Sequence, residues 1–572
     1  MNEPALETPV EVPVESPVVR TVDQRWFIRM LEIFPGAVTW LTLLMPIFLS
    51  LVEPVWVAYF IIAFDLYWTV KSIRLSVNLV RGYNQLHKAQ LVDWNERLDW
   101  LRHPAEFVQR NNDEIVKLVT SHPEVTRRWW WRQTKWRRKY EALTAEQDRL
   151  AQIVAHDRTV LNPDEIYHVV MLATYNESMA ILEPSVRSLT EVDFPTKQIM
   201  LVIAYEERGG EQTEQNAQEL IRRYGDNFAL AMAVKHPNHL AGEVIGKGGN
   251  ITYAGRKLTA EVLKRGIDPA NVILTTFDSD HRAAKNYFSY LSFLYATDPN
   301  RVRKSFQPIP MFYNNIWDVP APMRVIATGN SFWLLMETMR PHRLRNFAAH
   351  AQSLQALIDT DYWSTTTIVE DGHQFWRTYF VYDGDHEVVP VFTPVFQDAV
   401  LASTYVKTFK VQFLQLRRWA WGVSDFAYVV RNSIANTKIP WSNKLVQIGR
   451  LFEGHFSWAT APLILTFVAW LPLYLNRQFS YQALAHNLPI ITSRILTFAS
   501  ISIVVTIFIS LLSLPPKPAR YRGWRYIVMV AQWAFLPITG MCFSAFAAIN
   551  AQTRLMFGKY LEFYVTEKAT KK

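Results

Sequence analysis

Residues 166–175 read IYHVVMLATY, an apolar run rich in β-branched side chains that predicts a buried strand. Three similar runs follow at 197–205, 228–236 and 271–277, and the stretches between them have helical periodicity. Strands that alternate with helices form a mostly parallel sheet that is covered by helices on both faces. The sequence therefore predicts an α/β domain over residues 161–400.

Long apolar runs lie on both sides of this domain. Residues 35–80 hold two runs, parted by Glu53 and Pro54, and each approaches the ~20 residues that cross a bilayer. Residues 451–555 hold three more, at about 455–476, 489–513 and 525–550. Cys542 is the only cysteine, which fits a cytosolic domain without disulfides. We therefore expect a multi-pass integral protein of the plasma (inner) membrane, with the α/β domain in the cytosol.

The other segments differ in composition. Residues 1–34 are rich in Glu, Pro and Val and predict a disordered, cytosolic segment, whereas 81–160 predict a charged helical hairpin. Residues 401–450 predict interfacial amphipathic helices, and 556–572 form a basic tail. The last apolar run is interrupted at 537–540, which is typical of a re-entrant hairpin or two short tilted pieces. We therefore expect the C-terminus in the cytosol.

The net charge of +9 and the stretch RRWWWRQTKWRRK, residues 127–139, would also suit an RNA-binding surface. Basic and Trp-rich segments beside membrane spans anchor at lipid headgroups, however, and Lys and Arg accumulate on the cytosolic side. We therefore expect membrane lipids, and no nucleic acid, as the partner of this stretch.

Polar side chains follow the predicted strands, where ligands of open α/β sheets bind. TYNES begins at Thr174, YEERGG at Tyr205 and DSDH at Asp278. Asp278 and Asp280 would repel each other unless a cation lay between them, so they suit Mg²⁺ or Mn²⁺ bound with a diphosphate. An Asp-x-Asp triplet is also common in solvated turns, and this alternative stays open.

Two further segments each have a structural and a chemical interpretation. GEVIGKGGN, residues 242–250, lacks the spacing of a nucleotide triphosphatase loop, but Lys247 could hold a phosphate at the start of a helix. A simple turn explains it equally well. Glu370 and Asp371 begin a predicted helix, where acids commonly act as caps. A carboxylate there could instead take a proton from an attacking hydroxyl.

Six segments recur in a characteristic order. They are Thr174-Tyr-Asn-Glu177, Lys247-Gly-Gly-Asn250, Asp278-Ser-Asp280, Thr328-Gly-Asn-Ser331, Val369-Glu-Asp371 and Gln415-Leu-Arg-Arg418-Trp419. The series, followed at once by apolar spans, resembles that of the membrane-bound glycosyltransferases of family 2, the group of cellulose, hyaluronan and chitin synthases. The resemblance covers roughly residues 35–565.

The resemblance implies a GT-A nucleotide-sugar fold and transfer from a UDP-sugar, with inversion, to a growing β-linked polysaccharide at the cytosolic face. It makes Asp371 the general base and assigns a divalent metal, Mg²⁺ or Mn²⁺, to Asp278 and Asp280. The implied donor-binding residues are Thr174, Tyr175, Glu177, Glu206, Lys247, Asp278, Gln415 and Arg418. The implied acceptor-binding residues are Asn330, Ser331, Glu370 and Trp419.

The chain departs from the family at two of these positions. Glu206 stands where many members have an aspartate after the second strand, and Val369 replaces the threonine before Glu370. Two alternatives therefore remain beside polysaccharide synthesis: transfer of one sugar to a lipid-linked acceptor or glycolipid, and a non-catalytic transporter or scaffold. The Gln-x-x-Arg-Trp segment favours chain elongation over the first of them.

Overall fold

A computed structural model describes residues 25–126, 135–155 and 160–562. The helices are α1 Arg25–Val52, α2 Pro54–Gln90, α3 Trp94–Arg102, α4 Pro104–Ser121, α5 Lys135–Ala155, α6 Met179–Ser188, α7 Glu211–Tyr224, α8 Lys247–Lys264, α9 Tyr287–Thr297, α10 Ala321–Thr338, α11 Leu354–Asp359, α12 Glu370–Val381, α13 Tyr405–Ala420, α14 Asp425–Ala435, α15 Trp441–Phe467, α16 Leu471–Leu475, α17 Arg477–Ser480, α18 Ala483–Ser513, α19 Arg525–Ala531, α20 Leu536–Ile538 and α21 Phe546–Met556. The strands are β1 Tyr167–Thr174, β2 Ile199–Glu206, β3 Leu230–His236, β4 Val272–Asp278, β5 Arg282–Ala283, β6 Ser305–Met311, β7 Ala351–Ser353 and β8 Val388–Phe396. The predictions for residues 1–24, most of the basic stretch and most of the C-terminal tail lie outside the described residues.

All eight strands form one sheet in the order β3-β2-β1-β4-β7-β6-β8-β5. Strands β3, β2, β1 and β4 are parallel, and they are the four strands that the sequence predicts. Strand β7 runs antiparallel to both β4 and β6, and β5 runs antiparallel to β8. The predicted fold class, an α/β domain inserted between apolar helices, is confirmed.

The apolar run that predicts β1 is continuous because both faces of the sheet are covered. Val170 and Leu172 pack in a core with α6 and α9, whereas Val169 and Met171 pack in a second core with α8. Burying both faces removes the alternation of polar and apolar residues that marks a half-exposed strand. The two cores hold the four parallel strands rigidly, so their carboxyl ends are fixed with respect to one another.

The second half of the sheet is not visible in the sequence. Strand β6 contains Pro308 and Pro310, and its parallel partner β8 contains Pro390 and Pro394. Proline cannot donate to a strand ladder, and the pairing of β6 with β8 is shifted between Pro308 and Ile309. These prolines hide two strands that are nevertheless well buried.

Within the described residues, five helical segments are long and apolar enough to cross a membrane. They are Arg25–Val52, Pro54–Gln90, Trp441–Leu475, Ala483–Ser513 and Arg525–Met556. The first begins at Arg25, so residues 25–34 are helical and the predicted disordered segment does not extend to residue 34. The second continues to Gln90 without a break, so the predicted boundary at residue 80 falls inside a helix.

The charged region after these two helices is helical, as predicted. Helix α3 attaches to the α/β domain through Trp94, whose ring stacks on Tyr290 with centroids 3.9 Å apart. Helices α4 and α5 pair with each other, and Asn111 Nδ2 donates to the carbonyl oxygen of Leu143 over 2.9 Å.

The last apolar segment begins and ends on the side of the α/β domain. Just before its start, Arg520 forms an ion pair with Asp318 of that domain over 2.6 Å. At its end, Arg29 Nη2 donates to the carbonyl oxygen of Met556 over 3.0 Å. Arg29 lies at the start of α1, and the α1–α2 hairpin returns the chain to the domain, so this end also faces the domain.

Helical structure continues through the predicted interruption at 537–540. The segment changes winding instead, with a π-helix at Thr539–Ala545 between α20 and α21.

On the opposite side of the molecule, Asn476 Nδ2 donates to the carbonyl oxygen of Leu51 over 3.1 Å, which joins the far ends of α1 and α16. Four of the described apolar segments, α1, α2, α15 with α16, and α18, thus run between the domain side and the far side, whereas the last one begins and ends on the domain side.

Candidate active site

The carboxyl ends of four parallel strands meet at one edge of the sheet. In the register of β1 with its neighbours, Thr174 pairs with Tyr205, and Ala173 pairs with Asp278. Glu206 pairs in turn with His236 at the end of β3. The three polar segments that the sequence predicts at strand ends therefore share one edge, where a ligand of an open α/β sheet binds.

Lys247 joins two of the predicted site segments. Its Nζ lies 2.8 Å from Asp278 Oδ1 and 3.5 Å from Asp371 Oδ1. Lys247 opens α8, and the following Gly248 allows a close approach, since a Cβ there would lie 2.4 Å from the carbonyl oxygen of Ser364. The Lys-Gly-Gly segment is therefore a packed helix start that aims an ammonium at two carboxylates, rather than a simple turn.

The charges in this cluster shift the pKa of two buried groups. Burial would lower the pKa of Lys247, but the carboxylates of Asp278, Asp371 and Glu370 outweigh it and raise the pKa. Burial, reinforced by Asp371, raises the pKa of Glu370 to about 7, although the nearby cations Lys247 and Arg418 oppose this. Lys247 is thus a permanent cation, whereas Glu370 changes its charge near neutral pH.

Asp371 is held at the start of α12 and still reaches solvent, with 21% of its side chain exposed. The imidazole of His350 faces it, with Nδ1 3.5 Å from Asp371 Oδ1. His350 Nε2 accepts from Trp363 Nε1 over 3.2 Å, so the proton of the neutral ring lies on Nδ1, which also donates to the carbonyl oxygen of Phe347. A histidine N–H and an ammonium therefore both face the carboxylate that the sequence predicts as a base.

Glu370 differs from its neighbour in exposure and in bonding. Its side chain is buried, and Oε2 has no hydrogen-bond partner among the described residues. A buried carboxyl oxygen without a partner is costly, unless the group is protonated or a ligand hydroxyl donates to it. Glu370 can therefore accept a hydrogen bond from a bound molecule. Binding of the acceptor sugar, which is the role predicted for Glu370, requires such a bond.

Asp278 and Asp280 supply the oxygen ligands that Mg²⁺ and Mn²⁺ prefer. Asp280 is buried and its Oδ2 accepts from the backbone N–H of Asp398 over 2.7 Å, while the backbone N–H of Asp278 donates to His281 Nδ1 over 3.1 Å. No group of three or more His, Cys, Asp or Glu side chains that could hold a metal occurs in the described ranges. The two aspartates therefore fit a divalent ion only if a ligand such as a diphosphate completes its coordination.

Tyr175 and Glu177 form a second part of the same edge. Glu177 Oε2 accepts from Thr174 Oγ1 and from the backbone N–H of Tyr175, both over 2.8 Å. Arg208 lies over the Tyr175 ring, 4.1 Å from its centroid, and forms a two-pronged ion pair with Glu206. Glu177 therefore shapes the loop internally, whereas Tyr175 and Arg208 form a stacked, half-buried pair at this edge.

Helix α13 contributes the Gln-x-x-Arg-Trp segment. The charge of Arg418 acts on Glu370, so this guanidinium lies near the cluster around Lys247. Gln415 is half-buried and its Oε1 accepts from Gln412 Nε2 over 3.1 Å. Trp419 is half-buried and packs against an apolar cluster that includes Met323, Ala327 and Phe409. Of the three, Arg418 has the clearest link to the site.

Two predicted acceptor residues lie on α10. Asn330 is half-buried, and Ser331 is buried with an Oγ that has no hydrogen-bond partner among the described residues. Their assignment to the acceptor stays a prediction.

Sequence reasoning missed two site residues, Arg208 and His350. Arg208 stands two residues after Glu206 in the YEER segment, and this spacing is the sequence feature that could have indicated an ion pair at the end of β2. His350 precedes β7, which the sequence does not reveal, and it reaches Asp371 only because β7 pairs with β4. No local pattern could have indicated that contact.

No family model and no curated protein matches the chain. Among solved structures it is similar to the mannosyltransferase PcManGT from Pyrobaculum calidifontis in complex with GDP-Man and Mn²⁺, at 13% identity and a TM-score of 0.38, covering 85% of this chain and 100% of that one. It is also similar to S. aureus TarS 1–349 in complex with UDP-GlcNAc, at 15% identity and 0.33, covering 70% and 94%. GalNAc-T7 with UDP, GalNAc and Mn²⁺ matches at 11% identity and 0.30, covering 51% and 58%. Likenesses at such scores do not establish a shared activity.

Proposed function

We propose that this chain is a membrane-integrated, inverting glycosyltransferase of the GT-A type that transfers a sugar from a UDP-sugar to a growing β-linked polysaccharide. The observation that carries the proposal is the contact of Lys247 with both Asp278 and Asp371. This contact brings Asp278, an acid at the end of β4 that suits a diphosphate site, near Asp371, a carboxylate at the start of α12 that suits the role of base.

The donor would lie along the carboxyl edge of the parallel strands. Tyr175, stacked under Arg208, offers a flat surface for the uracil ring, and Arg418 offers a guanidinium for the diphosphate. Thr174, Glu177 and Glu206 hold this edge in place through their hydrogen bonds and ion pairs. Gln415 lies one helical turn from Arg418 and would contact the same diphosphate.

The reaction that we propose has one proton acceptor. Asp371 takes the proton from the acceptor hydroxyl, whose oxygen then attacks the anomeric carbon as the bond to the UDP oxygen breaks. Lys247 and the His350 N–H both face the carboxylate of Asp371, and Arg418 stabilises the charge that develops on the leaving diphosphate. Attack opposite the leaving group inverts the anomeric carbon.

Asp278 and Asp280 would hold Mg²⁺ or Mn²⁺, which supplies positive charge to the diphosphate when bound. Because Asp278 already contacts Lys247, this lysine can also neutralise part of the same charge. The acceptor would lie beside Glu370, whose unpaired oxygen can receive a sugar hydroxyl, and beside Trp419, with Asn330 and Ser331 further along.

The membrane location is part of the proposal. Four crossings and a domain-side last segment would put the α/β domain and the C-terminus on the same side, which we assign to the cytosol because basic residues cluster there. The membrane lipids would then be permanent partners of α1, α2, α15 and α18.

The Asp371→Asn variant tests the site. We expect it to abolish transfer of radiolabelled sugar from a UDP-sugar while UDP still binds, because the amide keeps the shape of the carboxylate but cannot take a proton. Asp361→Asn is the matched control, since the Asp361 carboxylate forms an exposed ion pair with Arg256. Wild-type turnover in Asp371→Asn would remove that residue from the role of base.

Product length separates the proposal from its nearest alternative, transfer of one sugar to a lipid-linked acceptor. On a gel, a polysaccharide synthase gives a ladder or a high-mass smear, whereas a single transfer gives one labelled lipid. A non-catalytic transporter or scaffold would give neither. The charged cluster at Lys247 disfavours that third function, because a site without catalysis has no need for four ionisable groups in contact range.

A further inference from the structure

A second charged cluster lies where α2 and α15 meet the end of α10 in the α/β domain. We call it the basic junction. Its members are Lys71, Arg74, Glu337, Arg340, Arg343, Arg345, Arg450 and Glu453. None of these residues belongs to the six segments that define the proposed active site.

Ion pairs and hydrogen bonds hold the basic junction together. Glu453 on α15 bridges two elements, because its Oε1 lies 2.6 Å from Lys71 Nζ on α2 and its Oε2 lies 2.8 Å from Arg343 Nη2. Arg450 Nη1, one turn before Glu453, donates to the carbonyl oxygen of His342 over 2.7 Å. Glu337 pairs with Arg340 at the end of α10.

Positive charge is in excess in this cluster. Six cations face two carboxylates, Glu337 and Glu453, so four positive charges lack an acidic counterpart within the group. Burial, and then the charges of Arg450 and Arg343, lower the pKa of Arg345 to about 9. Burial also lowers the pKa of Arg340; the carboxylate of Glu337 opposes this shift, whereas Arg343 and Arg74 reinforce it. Repulsion among guanidiniums of this kind is relieved by an anion.

The cluster also contains an unsatisfied donor. Arg340 is buried, and its Nε has no hydrogen-bond partner among the described residues. A buried guanidinium N–H without an acceptor costs free energy, and an oxygen of a bound anion would relieve that cost.

The basic junction lies at the level where the helices enter the apolar layer. Lys71 is the first basic residue of α2 after an apolar run, and its Nζ lies 4.3 Å from the centroid of the Trp68 ring. Glu453 is the last acid of α15 before its apolar run. Tryptophan beside lysine is typical of the headgroup layer of a bilayer.

We propose that the basic junction binds the headgroup of an acidic phospholipid at the domain-side surface of the membrane. The phosphate and its neighbouring oxygens would accept from Arg74, Arg340 and Arg450, and the acyl chains would lie along the apolar parts of α2 and α15. A bound acidic lipid would clamp α10 of the α/β domain onto two spans. This inference rests on the proposed membrane location, but not on sugar transfer.

The test uses the full chain purified in detergent, titrated with short-chain phosphatidylglycerol and, separately, with short-chain phosphatidylcholine, with bound lipid counted by native mass spectrometry. We expect tighter binding of phosphatidylglycerol. The double variant Arg74→Gln/Arg450→Gln should lose about 25-fold in affinity for phosphatidylglycerol, since each basic residue near anionic lipid contributes about fivefold. Its affinity for phosphatidylcholine should not change.

Two matched variants serve as controls. Arg74→Lys/Arg450→Lys keeps the charge and should retain phosphatidylglycerol binding, and Arg222→Gln removes an exposed arginine from α7 and should behave as wild type. Inorganic phosphate at the same concentration should not displace the lipid. Equal binding of both lipids, unchanged binding in the glutamine double variant, or displacement by inorganic phosphate would overturn the proposal.

Failure of the proposed membrane location would look different. In that case neither lipid would remain bound, and the chain would stay soluble without detergent. Failure of the proposed sugar transfer would leave every outcome of this lipid titration unchanged, because no nucleotide-sugar is present.

Discussion

The charge state of Glu370 gives a pH dependence that can be calculated from the structure. Burial and the neighbouring Asp371 raise the pKa of Glu370 to about 7, against an ordinary value of about 4.5. Between pH 4.5 and pH 7 the folded protein therefore keeps a proton on Glu370 that the unfolded chain has already lost. Stability from this group is fully present below pH 4.5 and is lost as the pH rises through 7.

The size of the effect follows from the same two pKa values. Between pH 6 and pH 8 the folded protein releases this proton and the unfolded chain has none to release. The free energy of unfolding should fall over this interval by roughly 1 kcal/mol, on the order of the free energy of one pKa unit. The variant Glu370→Gln, which cannot titrate, should lack this part of the pH dependence.

The assay is urea unfolding of the full chain in detergent micelles at pH 6 and pH 8, for the wild type and for Glu370→Gln. Other groups, including His350, titrate in both proteins, so the difference between the two slopes isolates Glu370. If both proteins lose the same free energy between pH 6 and pH 8, Glu370 is ionised throughout this range, and burial does not hold a proton on its carboxyl group.

Three further changes have defined outcomes. Lys247→Met removes the ammonium that Asp278 and Asp371 share and should destabilise the protein by about 1–3 kcal/mol in urea unfolding. A fully buried pair would cost more, but Asp278 is over a third exposed. The control is the exposed pair of Arg256 with Asp361, where Arg256→Met should cost under about 1 kcal/mol. Arg208→Ala should weaken UDP binding measured by calorimetry, since it removes the guanidinium that lies on the Tyr175 ring, and unchanged affinity would exclude that pocket. Trp419→Ala should shorten the products on a gel while the protein stays in the membrane fraction; full-length product would make this tryptophan purely structural.

The sequence predicts the parallel half of the sheet well because burial on both faces is written into continuous apolar runs such as VVML at 169–172. It does not predict β6 and β8, because prolines interrupt runs that are otherwise strand-like. Strand β7 has only three residues, Ala351–Ser353, and is defined by its two neighbours rather than by its own composition. Tertiary pairing, not local propensity, creates these three strands.

The sequence likewise predicts some features of the candidate site and not others. The acids at strand ends and helix starts are visible as short segments, and the structure brings Asp278, Glu370 and Asp371 together around Lys247. The contact itself could not be read from sequence, because 124 residues separate Lys247 from Asp371. The sequence also did not indicate that Glu177 stabilises its own loop, where its carboxylate accepts hydrogen bonds from Thr174 and Tyr175.

We propose that the cluster around Lys247 transfers sugar from a UDP-sugar. The most direct measurement incubates the purified full chain with a panel of radiolabelled UDP-sugars, in Mg²⁺ and in Mn²⁺, and separates the products by size. We expect label from at least one donor in a β-linked polymer, and no label with Asp371→Asn. Absence of both transfer and hydrolysis with every donor, in either metal, would contradict it.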